Sequence, residues 1–297
     1  MPDLPHRYRS ADEDSARWMD FAFRDDDIVI STRSKSGTTW VQMICAVLVF
    51  RTPDLPAPLS QLSPWLDWLV GPQAEVFAAL EAQRHRRFIK THTPLDGLPV
   101  RPGVSYLVVG RHPLDSAVSL YHQSGNIDRQ RLAELTGVPA RNRPSRPPVE
   151  EWLRSWIEAD PDPREELDSL PGVMRHLTDA WQRREESNVV LLHYDDLRRD
   201  LAGQMRAIAL RLEIDVPDKV WPQLVEAASF RSMRSRADLV VPDPAGVLRS
   251  HQAFFRRGSS GSGRDLLTAD DLARYHARAA ELAPPDLLAW LHRDADT

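Results

Sequence analysis

The chain has 297 residues, one cysteine (Cys45) and a formal net charge of −5 at pH 7. One cysteine cannot form an internal disulfide, which excludes a disulfide-stapled secreted fold and a cysteine-rich zinc site. The negative charge argues against nonspecific nucleic-acid binding, which usually needs a basic domain. The longest apolar run, 43–50, is far shorter than the roughly 20 residues that cross a bilayer, and the first residues contain no apolar stretch. We therefore expect a soluble, cytoplasmic protein.

Short β-branched runs alternate with helical patterns along most of the chain. The predicted strands lie at 27–31, 87–91, 104–109 and 188–192. The predicted helices lie at 38–50, 73–86, 113 to about 124, 172–186 and 195–212, and the last third is helical around a Gly/Ser-rich loop at 258–263. Two further segments, 138–149 and 234–249, are predicted to be mobile loops. Strands joined by helical crossovers indicate an α/β fold with a parallel sheet between helices.

Polar residues follow every predicted strand at its carboxyl end. They lie at 31–35, 91–92, 111–112 and 193–194. Because the strands are parallel, these ends meet at one edge of the sheet, where ligands bind in folds of this class. We therefore expect the four strand ends to converge on one site.

The first strand end has the chemistry of a phosphate-binding loop. Residues 31–40 read STRSKSGTTW between a strand and a helix, whose N-terminus offers unpaired amides. Gly37 lets the backbone approach an anion closely. Thr38 and Thr39 add hydroxyls, and Lys35 adds a full charge. Lys35 precedes the glycine, whereas the lysine of the nucleotide-triphosphatase loop GxxxxGK[ST] follows it, so this loop is of a different kind.

The second and third strand ends add a candidate base and a second anion site. His92 follows Lys90 by two residues, and a neutral imidazole, whose ordinary pKa is about 6.5, can accept a proton at pH 7. Arg111 follows the third strand, and Ser119 lies in the next helix. An arginine can direct two donors at one phosphate, and a serine hydroxyl can add a third. Only three of the 38 basic residues are lysines, so Lys35 and Lys90 stand out in a chain that otherwise uses arginine.

Together these motifs resemble the cytosolic-type sulfotransferases. The resemblance is carried by KSGTTW at 35–40, FIKTHTP at 88–94, YLVVGRHPLDSAVSLYH at 106–122 and FFRRG at 254–258. It implies a P-loop-like three-layer α/β/α fold with a central parallel sheet of about five strands, in a single domain over 1–297. It also implies 3′-phosphoadenosine 5′-phosphosulfate (PAPS) as donor, adenosine 3′,5′-bisphosphate (PAP) as product, a small-molecule hydroxyl as acceptor and no metal.

The resemblance implies a role for each matching residue. Lys35 would contact the 5′-phosphate and the bridging oxygen, His92 would be the general base, and Lys90 would stabilise the transferring sulfuryl group. The other donor-binding residues would be Ser36, Gly37, Thr38 and Thr39 for the 5′-phosphate, Trp40, Tyr194, Ser229 and Phe230 for adenine, and Arg111, Ser119, Arg256, Arg257 and Gly258 for the 3′-phosphate.

The chain departs from the family pattern at several positions: Ala228 replaces a usual Thr, Arg257 a usual Lys, and Ser262-Gly263 a usual Asp-Trp. Two other departures concern the first loop and the dimer segment. Arg33-Ser34 stands where Tyr-Pro is usual before Lys-Ser-Gly. Residues 264–269 read RDLLTA, where many members carry a Lys-x-x-x-Thr-Val segment through which they dimerise. Both a monomer and a homodimer therefore stay open.

Two other functions share parts of this pattern. A P-loop kinase-like phosphotransferase would need the missing Gly-Lys-Ser/Thr order and an acidic magnesium site, whereas the acidic turn at 25–27 is expected to be solvated. A non-catalytic PAP-binding protein would need neither His92 nor Lys90. No nucleic-acid partner is expected.

No motif fixes the acceptor. The residues that could line an apolar acceptor pocket are Trp65, Trp68, Phe77, Tyr121 and His122, although each is equally compatible with the core. Such a pocket would suit an aromatic or lipid-like alcohol, and a carbohydrate or natural-product hydroxyl stays open.

Overall fold

The computed structural model describes residues 4–137 and 146–293, which form one parallel sheet between two layers of helices. The strands are β1 Ile28–Ser31, β2 Phe88–Thr91, β3 Ser105–Gly110 and β4 Val189–His193, in the order β2-β1-β3-β4. Each strand lies within one residue of its predicted bounds, and the α/β prediction is confirmed. The described residues form four strands where the resemblance implied about five.

Helices connect the strands and follow the last one. They are α1 Thr38–Phe50, α2 Leu59–Leu62, α3 Gln73–Ala82, α4 Pro113–Asn126, α5 Arg129–Thr136, α6 Val149–Glu158, α7 Leu170–Gln182, α8 Tyr194–Arg199, α9 Leu201–Arg211, α10 Trp221–Ala227, α11 Phe230–Ser235, α12 Ala237–Val240, α13 His251–Phe254, α14 Ala269–Leu282 and α15 Pro285–Leu291. Short 3-10 turns lie at Ser15–Met19, Leu95–Gly97, Asp218–Val220 and Arg264–Leu266. Within 4–137 and 146–293, no helix has both the length and the apolar character to cross a bilayer.

Side chains of each strand alternate between two buried faces of the sheet. Ile28 and Ile30 pack in one core with α1, α8, α9 and α10. Val29, between them, packs in a second core with α4, α7 and α14. Because successive side chains of a strand point to opposite faces, this arrangement explains the consecutive apolar residues at 28–30. The three-layer α/β/α architecture follows directly.

Four predictions need correction. The helix predicted at 172–186 covers Leu170–Gln182 instead. The helix predicted at 73–86 ends at Ala82, where Gln83 turns to extended backbone. The helix predicted at 195–212 is divided at Asp200, whose side chain caps α9 by accepting a hydrogen bond from Gly203 N at 2.8 Å. Part of the loop predicted at 234–249 is helix α12, which is anchored by buried apolar side chains. Of the other predicted loop, 138–145 lie outside the described residues and α6 begins at 149.

A buried ion pair joins the amino ends of β1 and β2. Asp27 accepts hydrogen bonds from Arg87 Nε at 2.7 Å and Nη2 at 2.5 Å, and both side chains are 1% exposed. The expectation of a solvated acidic turn at 25–27 is therefore wrong for Asp27. The pair ties β1 to β2 at the end of the sheet opposite the predicted site, so both strands start from a fixed register.

We expect Arg87→Met to lower the free energy of unfolding by about 3–5 kcal/mol, because it leaves the Asp27 carboxylate buried without its partner. The exposed pair Arg131–Glu134, with N and O atoms 3.5 Å apart, provides the control. Arg131→Met should cost less than about 1 kcal/mol. Urea unfolding followed by tryptophan fluorescence measures both, and equal costs would contradict a structural role for the buried pair.

Candidate active site

One cavity of about 730 Å³ lies at the carboxyl ends of the strands. Its wall contains a residue from each of the four predicted strand ends, namely Lys35, His92, Arg111 and Tyr194. The predicted convergence of these ends on one site is confirmed.

Most of the predicted site residues line this cavity. They are Lys35, Gly37, Thr38, Thr39, Trp40, Lys90, His92, Arg111, Ser119, Tyr194, Phe230, Arg256, Arg257 and Gly258. Ser36 and Ser229 lie outside the lining. Ser36 is buried with its Oγ 3.4 Å from Ser116 Oγ, and Ser229 caps α11 by accepting a hydrogen bond from Ser232 N at 3.2 Å.

The five candidate acceptor residues divide into two groups. Trp65 and Trp68 line the cavity, whereas Phe77, Tyr121 and His122 are not part of its wall. Phe77 instead packs against Phe21, with ring centroids 5.5 Å apart, and the hydroxyl of Tyr121 donates to the Pro147 carbonyl at 2.7 Å.

The loop between β1 and α1 has the backbone of an anion-binding turn. Lys35 and Gly37 both have positive φ, 65° and 104°. Gly37 is the N-cap of α1, where no side chain caps the first-turn amides. A Cβ atom at Gly37 would lie 3.2 Å from the Tyr194 ring, and its φ disfavours any other residue. The amides of this helix start therefore remain available to an anion.

Cations crowd the same end of the cavity. Burial lowers the pKa of Lys35 to about 7, and the positive charges of Arg111, Lys90 and Arg256 act in the same direction. The Lys35 ammonium lies 3.9 Å from the centroid of the Phe254 ring. Crowded cations of this kind favour an anionic ligand, which would restore the charged form of the lysine.

Arg111 is held in place by the two strand ends beside it and by the loop at 258–263. Its Nη1 donates to the Lys35 carbonyl at 2.8 Å and its Nη2 to the Ser259 carbonyl at 3.2 Å. Its guanidinium lies 4.2 Å from the Tyr194 ring centroid. The buried Nε atoms of Arg111 and Arg256 have no hydrogen-bond partner among the described residues. Unpaired buried donors of this kind indicate a missing acceptor.

The Gly/Ser-rich loop at 258–263 borders this cationic end and is fastened by two helices. Asp115 in α4 accepts hydrogen bonds from the amides of Gly261 and Gly263 at 2.8 and 2.9 Å. The Ser260 hydroxyl donates to Asp195 at the start of α8. The sequence pattern did not single out these carboxylates, because their partners are backbone amides and a serine far along the chain.

Aromatic rings form the neighbouring wall. Trp40 and Tyr194 meet edge to face, with ring centroids 5.4 Å apart. The Trp40 indole donates to the Ala228 carbonyl at 2.8 Å, and Phe230 packs under Gly258. The geometry offers flat apolar faces beside the cationic end, as a purine would need.

His92 is a buried, neutral imidazole with a defined tautomer. Its Nδ1 is hydrogen-bonded to the Thr32 carbonyl. Since a carbonyl can only accept, Nδ1 carries the proton and the lone pair is on Nε2. Burial, followed by the charges of Lys90 and Arg33, lowers the pKa of His92 well below its ordinary value. The imidazole is therefore in the form that a general base requires.

Two further cations support the histidine. The Lys90 ammonium lies 3.7 Å from the Trp65 ring centroid, and burial lowers the pKa of Lys90 to about 8. Arg33 donates to the His92 carbonyl and, at 2.6 Å, to Asp168. From the sequence, Arg33 is recognisable only as a departure from a family pattern, because its partner Asp168 lies in a distant segment without a motif.

Comparisons with known proteins agree with this geometry. A family model described as "Sulfotransferase domain" matches residues 25–283. A glycolipid sulfotransferase of Mycobacterium bovis is 43% identical, over 96% of this chain and 93% of its own. Sulfotransferase 1B1 of the dog is 26% identical, over 84% and 80% of the two chains.

The fold also matches solved structures. A mouse sulfotransferase crystallised with PAP has a TM-score of 0.66 and 22% identity, over 95% of this chain and 88% of its own. A retinol dehydratase in complex with androsterone and PAP has a TM-score of 0.69 and 18% identity, over 94% and 85%. Since a family model spans most of the sequence and a relative is 43% identical along nearly its whole length, the chain belongs to the sulfotransferase family, whose donor is PAPS.

Proposed function

We propose that this sulfotransferase moves the sulfuryl group of PAPS to a hydroxyl of a glycolipid, with His92 as general base. The observation that carries the proposal is a cavity in which Lys35, Arg111 and their neighbours crowd positive charge beside a buried neutral His92. The relatives named glycolipid sulfotransferases support the acceptor class. Apolar side chains of the cavity that suit an alkyl chain are Leu120, Ile127, Leu132, Trp152, Trp156, Met233, Val247 and Leu248.

The described residues fit both phosphates of the donor. Lys35 and the first-turn amides of α1 would hold the 5′-phosphate, because this helix start has no side-chain cap. Arg111 and Arg256 would hold the 3′-phosphate through donors that lack a partner in the described part of the chain. The adenine would lie against Trp40 and Tyr194. These assignments, and those of Ser36, Ser119, Ser229, Phe230, Arg257 and Gly258 to the donor, all stay predictions.

The transfer step needs a proton acceptor and charge stabilisation. His92 Nε2 takes the proton of the acceptor hydroxyl while the hydroxyl oxygen attacks sulfur. The oxygen–sulfur bond forms as the bond between sulfur and the 5′-phosphate oxygen breaks, and PAP leaves with that electron pair. Lys90 and Lys35 stabilise the charge on the sulfuryl group and the bridging oxygen, in line with the positioning logic of phosphoryl transfer.

The direct test is incubation of the protein with PAPS and a set of hydroxylated acceptors that includes alkyl glycosides. We expect a glycoside product heavier by one SO₃ unit. A parallel reaction with ATP and Mg²⁺ in place of PAPS distinguishes a kinase-like phosphotransferase. Binding of PAP without any product would instead support the non-catalytic alternative.

The single domain over 1–297, the cytoplasmic location, the oligomeric state and the absence of a metal stay predictions.

Replacement of His92 by alanine should lower the rate of transfer by about 10²–10⁴-fold, because the base is lost. Donor binding should survive, because this proposal assigns the donor phosphates to Lys35, Arg111 and Arg256 rather than to His92. His6→Ala, at an exposed histidine, is the control and should keep the wild-type rate. A His92→Ala variant that binds PAP and still transfers at the wild-type rate would remove His92 from this role.

Replacement of Arg111 by alanine should weaken PAP binding by at least about tenfold, because a hydrogen bond to a charged group contributes about 1.5–3 kcal/mol. Binding of the form that lacks the 3′-phosphate, adenosine 5′-monophosphate, should change much less. Isothermal calorimetry with both nucleotides measures the difference. Equal losses for both would mean that Arg111 supports the fold of the site rather than the 3′-phosphate.

When PAP binds above neutral pH, the protein should take up a proton at Lys35. In the free protein Lys35 has a pKa of about 7, so it is charged below that pH and increasingly neutral above it. A bound anion favours the charged form and raises this pKa, so affinity should fall as the pH rises above about 7. Calorimetry at pH 8 in two buffers of different ionisation enthalpy measures the uptake.

Two lysine variants identify the source of that proton. Lys35→Arg should lose most of the uptake, because an arginine stays charged throughout this range. Lys219→Arg, at the exposed third lysine, should keep it. An unchanged uptake in Lys35→Arg would assign the proton to another group.

A further inference from the structure

A second part of the cavity lies beyond His92 and has not been assigned to donor or base. It consists of Glu13, Trp65 and Trp68, which we call the polar subsite. Glu13 forms an antiparallel backbone bridge with Trp68. The Trp68 ring stacks on Trp65, with centroids 5.2 Å apart and planes 3° apart. Trp65 then meets His92 edge to face at 4.7 Å, so the polar subsite is continuous with the base.

The polar subsite contains two buried polar atoms without a partner. The Glu13 side chain is 6% exposed, and its Oε2 has no hydrogen-bond partner within residues 4–137 and 146–293. The indole Nε1 of Trp65 has none in the same ranges. Each unpaired buried group costs about 1–3 kcal/mol, so these atoms call for a ligand that pairs with them. A hydroxyl group can donate to a carboxyl oxygen and accept from an indole N–H.

We propose that the polar subsite binds the sugar ring of the acceptor and selects polyhydroxylated acceptors over simple alcohols. Trp68 stacks on Trp65 and the Lys90 ammonium lies over the Trp65 ring, so the sugar would meet Trp65 through its indole N–H rather than through a free ring face. Glu13 and the Trp65 N–H pair with hydroxyls next to the one that is sulfated. This inference rests on the proposed function, and it adds the residues that recognise the sugar.

A simple alcohol satisfies the polar subsite less well. It has one hydroxyl, which His92 must engage for transfer, so Glu13 and the Trp65 N–H would stay unpaired. Sites built to pair with a substrate hydroxyl discriminate strongly against analogues that lack it, because their buried polar groups are left without partners. A sugar brings additional hydroxyls within reach of both groups.

In the proposed role Glu13 pairs with sugar hydroxyls in its protonated form. Burial raises the pKa of Glu13 well above its ordinary value, and the nearby carboxylates of Asp12, Asp67 and Asp168 act in the same direction, against Arg33. A protonated carboxyl group can both donate and accept hydrogen bonds. A protonated, neutral Glu13 also avoids electrostatic repulsion between its side chain and the negatively charged donor. Glutamine has the same shape and the same capacity, so it provides a matched substitution.

The test compares octyl glucoside with octanol, which share the alkyl chain and differ in the sugar. We expect Glu13→Ala to lower kcat/KM for octyl glucoside by at least about tenfold, mainly through KM, since a lost hydrogen bond to a buried group has this magnitude. With octanol the change should stay below about threefold. Glu13→Gln should keep most of the activity toward the glucoside, and Trp65→Phe should weaken that activity while keeping a flat ring.

Controls separate this inference from the proposed function. PAP affinity should be unchanged in Glu13→Ala, and Glu185→Ala, which removes an exposed carboxylate outside the cavity, should resemble the wild type. Wild-type protein that sulfates octanol but not octyl glucoside would overturn both proposals. Wild-type protein that sulfates the glucoside, with Glu13→Ala and Trp65→Phe lowering both acceptors equally, would overturn the polar subsite alone. Loss of activity in Glu13→Gln with PAP binding intact would also overturn it, because it would make Glu13 an ionised base.

Discussion

The site depends on positive charge buried at one end of a parallel sheet. Lys35 and Arg111 stand at neighbouring strand ends, and the loop at 258–263 contacts Arg111 through the Ser259 carbonyl. Buried cations without counter-charges are costly, and the depressed pKa of Lys35 reflects that cost. An anion with several negative charges removes the cost. The protein as a whole is net negative, so its affinity for an anionic donor arises from local arrangement rather than from overall charge.

The fold brings these cations together because each short parallel strand ends at the same edge of the sheet and continues into a loop or helix there. Each strand is buried on both faces, so its register is set by packing, and its polar end must emerge at the same edge. The pair Asp27–Arg87 fixes the amino ends of β1 and β2. The carboxyl ends of the same strands lead into residues that line the cavity, among them Lys35 and His92.

Strand positions, the convergence of strand ends and most of the residues that line the cavity at those ends could be predicted from sequence, because local motifs carry them. KSGTTW, for example, places a glycine and a lysine where a strand meets a helix, and the positive φ of Gly37 is the physical reason for that glycine. Glu13 and Asp168 could not be predicted. They reach the site from loops whose sequence has no periodicity or motif, and only tertiary packing brings them beside His92 and Arg33. The misplaced helix ends have a similar origin, since Asp200 caps a helix inside an otherwise continuous helical pattern.

The fastening of the loop at 258–263 ties its position to the sheet. Its anchors, Asp115 and Asp195, belong to the helices that start directly after β3 and β4. The Ser259 carbonyl is hydrogen-bonded to Arg111, so the loop and the cationic end of the cavity share one guanidinium. A displacement of this loop would have to break its hydrogen bonds to Asp115, Asp195 and Arg111, so the shape of the cationic end depends on contacts made between segments far apart in the chain.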